Sequence, residues 1–118
     1  MKPSAPTAAA MQHARDLAEE MVRLAARCDL RPQDRTWVAG KTAQILDLAE
    51  SGNDAWTLAS WFFLRDCDRM ARECRPLEQG IDVLRARETL RAFAWVFNET
   101  LHGRHAALHP AEREGASP

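Results

Sequence analysis

Apolar residues recur along this chain at alternating spacings of three and four, in four blocks separated by glycine or proline. That period matches one face of an α-helix and cannot be read as a half-buried strand, which needs strict alternation. The first block follows Thr7, a predicted N-cap, and carries Ala10, Ala14, Leu17, Met21, Leu24 and Cys28. Glu19 and Arg23 form an i,i+4 pair on its wet side. Pro32 opens the second block, where its missing N–H would have no helical partner anyway. Val38, Thr42, Ile45 and Ala49 give its stripe, widened by Leu46 and Leu48. Gly40 interrupts it, which implies close packing or a weak point. Gly52 ends it, and Asn53 or Asp54 caps the next helix.

The third block, about 54–74, places Trp56, Ser60, Phe63, Cys67, Met70 and Cys74 on one stripe and is broken by Arg75-Pro76. The fourth, about 77–102, aligns Val83, Ala86, Leu90, Phe93, Phe97 and Leu101 and stops at Gly103. Four helices with short links predict a single-domain, all-α, antiparallel four-helix bundle of up-down topology. The leader is residues 1–6, the bundle 7–103 and the polar tail 104–118. A chain of 118 residues buries about two-thirds of its unfolded surface, so dimerisation would supplement its core.

With 46% apolar and 28% charged residues and a net charge of −1, the chain has no field that would draw it to nucleic acid or an anionic membrane. The arginines of the third helix, Arg65, Arg69 and Arg72, are interleaved with Asp66, Asp68 and Glu73, the pattern of a solvated, internally paired face. WTLASWFFL, at 56–64, is about half of a roughly 20-residue bilayer span, and MKPSAPTAAA lacks a signal-peptide apolar core. Three cysteines favour a reducing compartment, so the expected address is the cytoplasm. Cys67 and Cys74 lie about 10.5 Å apart along one helix, too far to bridge. Fourteen arginines against two lysines, and no tyrosine, suggest a GC-rich bacterial genome.

Three constellations bear on function. Glu99 and His102 form a Glu-x-x-His pair, with His105 and His109 beyond it. The pair resembles half of the di-iron motif of ferritin-like bundles, which implies metal binding through Glu99, His102, His105 and His109. No other helix offers the second Glu-x-x-His that family uses. Arg104 and His109 stand in an Arg-x4-His arrangement that resembles the motif of HEPN-domain ribonucleases. That resemblance implies acid/base work on a phosphodiester, although Pro110 follows the histidine directly.

The third constellation is aromatic. Trp95 lies about 200° around its helix from both Phe93 and Phe97, on the face of Arg91, Asn98 and His102. If the phenylalanines point inward, Trp95 points out. Likewise Leu58, Trp61 and Phe62 cannot all share the core with Trp56 and Phe63. Surplus aromatics beside arginines are the composition of protein interfaces. The sequence therefore predicts a non-enzymatic protein-interaction module needing no cofactor: an adaptor, inhibitor or regulator of the kind a phage or mobile element encodes. It would bind a partner protein or itself through Trp61, Phe62, Arg65, Arg69, Arg91 and Trp95.

Overall fold

A computed structural model describes residues 5–27, 30–73 and 80–103. Four helices account for nearly all of them: α1 (Ala8–Arg27), α2 (Pro32–Glu50), α3 (Ala55–Arg72) and α4 (Ile81–Leu101). Each helix packs on its neighbours in chain order, and α4 closes the ring against α1. Side-chain links fix the directions. Arg15, early in α1, meets Glu50 at the end of α2 at 2.8 Å. Ser60, near the start of α3, meets His102 just past the end of α4. The result is the expected antiparallel four-helix bundle.

The helix boundaries follow local chemistry. Thr7 Oγ1 accepts the Ala10 N–H at 3.0 Å, the expected cap. Pro32 begins α2. Gly52, at φ +75°, adopts the left-handed backbone that lets the chain leave α2, and Asn53 Oδ1 then accepts the Ala55 N–H. Gly103 ends α4 in the same conformation. The α4 helix begins at Ile81, later than the periodicity suggests, because Gly80 at φ +78° cannot continue a right-handed helix. The expected leader residues 1–4, Cys28, Cys74, the Arg75-Pro76 break and the tail lie outside the described residues.

The core is the meeting of the four stripes. Val38, Thr42, Ile45 and Ala49 of α2 are buried as anticipated, as are Trp56, Ser60, Phe63 and Cys67 of α3. Trp37, Phe63 and Phe97 form a ring ladder from α2 through α3 to α4, with centroids 5.3 and 5.9 Å apart. On α1, Ala14, Met21 and Leu24 are buried as anticipated, but the stripe is skewed at its edges. Met11, Ala18 and Ala25 are buried, while Ala10 and Leu17 sit half-exposed at its edge. Alanines buried on both α1 and α4 allow a close approach, and the bulkier Leu17 is displaced to the margin. Gly40 is exposed, with open space where a Cβ would stand, so it is a weak point in α2 and not a packing requirement.

One charged feature lies inside this apolar frame. Asp34 and Arg87 have side chains only 8% and 3% exposed and meet at 3.0 Å, joining α2 to α4 across the diagonal of the bundle. Arg31 holds the same carboxylate from the rim, with Nε and Nη2 at 3.0 and 3.2 Å. The Nε of Arg87 has no hydrogen-bond partner among the described residues.

Candidate functional site

The helices α3 and α4 run antiparallel, and their register is set where Arg91 Nε donates to Asp68 Oδ1 at 2.6 Å. Trp61 lies seven residues before Asp68 and Trp95 four after Arg91, so both indoles fall toward the same end of the seam. Between these two elements runs an open groove of about 650 Å³. Its apolar end is walled by Trp61 and Trp95, with Leu64, Ala92 and Val96 between them. Asp68, Glu88 and Arg91 form its charged end, and Arg65 stands along one side. Trp61 is 43% exposed and Trp95 47%, so each indole is half in water.

Of the six residues the sequence singles out, the structure brings Trp61, Arg65, Arg91 and Trp95 together around this groove. Phe62 flanks it, 43% exposed, with the Arg65 guanidinium 4.7 Å over its ring. Arg69 is not at the groove's rim as expected. It pairs with Asp66 at 3.2 Å and lines a separate polar hollow of about 170 Å³ beside Asp34 and Arg87. Arg69 lies two turns beyond Trp61 and about 80° around α3 from it, on the outer crest that carries Phe62, where it turns to Asp66 and away from the groove.

The stripe of Arg91, Trp95, Asn98 and His102 is open only along its first half. His102 lies against Trp56 and Trp61, with ring centroids 4.7 and 5.3 Å away. Ser60 Oγ lies 2.8 Å from the Thr57 carbonyl oxygen and 3.1 Å from His102 Nε2, within hydrogen-bond reach of both. This contact backs the Trp61 wall of the groove. Asn98, expected on the outer face, is fully buried and neither amide atom has a hydrogen-bond partner among the described residues. All five positions from Phe97 to Leu101 are buried, so the end of α4 is covered on every side and periodicity no longer separates inside from outside there.

Electrostatics sharpen the charged end. Hydrogen bonds from Arg72 and Arg91 hold the Asp68 carboxyl below its ordinary value of 3.8. Glu88 meets Arg91 at 3.5 Å. The carboxylates therefore fix the Arg91 head at the groove mouth. On the core side of α3, burial pushes the Cys67 thiol up to about 12, which makes it inert as a nucleophile at neutral pH.

The other two constellations are only partly visible. Glu99 is buried and His102 is engaged by Ser60, while Arg104, His105 and His109 lie outside the described residues. No group of three or more His, Cys, Asp or Glu side chains suited to a metal ion occurs among the described residues. A shallower hollow of about 450 Å³ between α1 and α2, flanked by Val22 and Leu46, contains no aromatic wall. No helix among the described residues is long and apolar enough to cross a membrane. Comparison with protein-family models, curated proteins and solved structures gave no match to this chain.

Proposed function

We propose that this chain is a non-enzymatic protein-interaction module that docks a protein surface in the α3/α4 groove. The observation that carries the reading is a pair of half-exposed indoles lining one open hollow between α3 and α4, with two arginines at its margin. Water is a poor environment for such a surface. Burying the remaining half of each ring would remove on the order of 100 Å² from solvent per tryptophan. Tryptophan and arginine are also the residues that dominate binding energy at interfaces. In this reading Trp61 and Trp95 are the anchors, with His102 packed against Trp61. Arg65 and Arg91 supply directional pairing at the rim. The module acts in the bacterial cytoplasm as a regulator or adaptor, a setting that suits the buried free thiol of Cys67.

The test is site-specific photo-cross-linking in living cells. A photoreactive side chain replaces Ala92, between the walls of the groove, and separately Gln44 on the exposed face of α2. The expected result is a discrete adduct from position 92, absent from position 44 and lost when Trp95→Ala is added. The absence of any discrete adduct from position 92 overturns the reading.

A further inference from the structure

The occupant of the groove is legible in the shape of α3. Leu58 is 59% exposed and Phe62 follows one turn later on the same crest, with Arg65 and Arg69 continuing the line. This crest stands roughly 60–100° around α3 from Trp61, immediately beside the groove that Trp61 walls. One face thus carries both an apolar ridge and an apolar hollow. Their polarities also agree. The crest runs from apolar (Leu58, Phe62) to basic (Arg65, Arg69) in the chain direction. Over the same span the groove runs from its tryptophan end to a charged end formed by Asp68, Glu88 and Arg91.

Resting on the docking function proposed above, we infer that this face binds a second copy of the chain as an isologous dimer. Each copy seats its Leu58–Phe62 crest in the other's groove. The two-fold axis lies roughly along the bundle, because parallel α3 helices place the apolar ridge on the tryptophan end of the hollow and charged end beside charged end. Ridges entering grooves are the ordinary mode of helix packing, and a two-fold interface must be self-complementary. The area is consistent. Leu58, Trp61, Phe62 and Trp95 together expose on the order of 400 Å², about half of the roughly 800 Å² per partner of a standard interface. The arginines and carboxylates around them supply the rest.

The experiment is sedimentation equilibrium of the full chain from low micromolar to several hundred micromolar, on wild type and three variants. Leu58→Arg spoils the crest, Ala92→Arg fills the groove, and Val22→Arg changes an exposed apolar residue on α1. Circular dichroism confirms that each keeps its helices. The wild type is expected to pass from monomer to dimer, Leu58→Arg and Ala92→Arg each to weaken it at least tenfold, and Val22→Arg to leave it unchanged. Reciprocal seating has a further signature. Each crest or groove variant alone retains no intact contact, whereas a mixture of the two retains one, so the mixture must associate more tightly than either. A wild type that stays monomeric throughout, a dimer indifferent to Ala92→Arg, or a mixture no tighter than its components overturns the inference. A monomer that still gives a position-92 adduct with a different protein overturns the dimer and leaves the docking function standing. A monomer that gives no adduct removes both.

Discussion

Removing the Asp34 carboxylate tests whether a charge is truly held inside this bundle. The Arg87 side chain is 3% exposed and its Nη2 depends on Asp34 Oδ2 at 3.0 Å, while its Nε already has no partner among the described residues. Asp34→Ala would leave a guanidinium buried with neither counter-charge nor acceptor at that position, a loss of about 3–5 kcal/mol. For a chain of this size, with total stability of about 5–15 kcal/mol, that is a large fraction. Arg31 is half-exposed and can turn to water, so Arg31→Ala should cost under about 1 kcal/mol. Replacing both buried partners with apolar residues of similar volume, Asp34→Leu with Arg87→Met, should recover most of the loss or exceed wild type. The coupling energy between sites 34 and 87 should then be at least about 2 kcal/mol. Urea titrations followed by circular dichroism supply these numbers, provided the slope stays constant across the set. Asp34→Asn separates charge from shape, since Asp34 in the first turn also favours the positive helix end by about 0.3–1 kcal/mol. If Asp34→Ala costs less than about 1 kcal/mol, Arg87 escapes to solvent and the diagonal ion pair does not hold α2 in phase with α4.

Further expectations concern single positions. Gly40→Ala should stabilise the protein by about 0.5–1 kcal/mol in thermal or urea unfolding, because the site is helical, exposed and spacious. Gly52→Ala should destabilise by a similar amount, since φ +75° strains any residue with a Cβ. Cys67 should resist thiol reagents until the chain unfolds. Its folded pKa of about 12 lies above the unfolded value of 9.0, so the unfolded state loses its proton first as pH rises. Stability from this group is complete below pH 9 and falls above it, by about 1.4 kcal/mol at pH 10, a drop that Cys67→Ala should abolish. The Asp68 carboxyl should titrate below 3.8 by NMR and move upward in Arg91→Ala. Its contribution to stability is present above that value and lost as pH falls through its depressed one.

Much of this molecule is written in short-range patterns. The bundle follows from four stripes and their breaks, and α2 and α3 bury the residues their periods select, from Val38 through Ala49 and from Trp56 through Cys67. The exposure of Trp95 was legible because Phe97 points inward from the opposite face of α4, and on α3 Trp56 and Phe63 leave too little core for Trp61 and Phe62 as well. The buried ion pair also leaves a mark in the sequence. Asp34 lies four residues before Val38 on the same stripe, and a carboxylate in core phase demands a buried cation. Nothing local identifies Arg87 as that cation, since it lies 53 positions away.

Sequence by itself determined the helices, their order and which aromatic rings were left over, because these depend on spacing within a single segment. Tertiary structure alone decided which leftovers meet. Trp61 and Trp95 become the two walls of one groove only when α3 and α4 lie antiparallel in the register set by Arg91 and Asp68. The same packing closed the end of α4 over Asn98 and brought Met11, Ala18 and Ala25 of α1 into the core in place of Ala10 and Leu17. Periodicity gives each helix an inward face, but the depth of burial along that face depends on neighbours whose positions no single segment specifies.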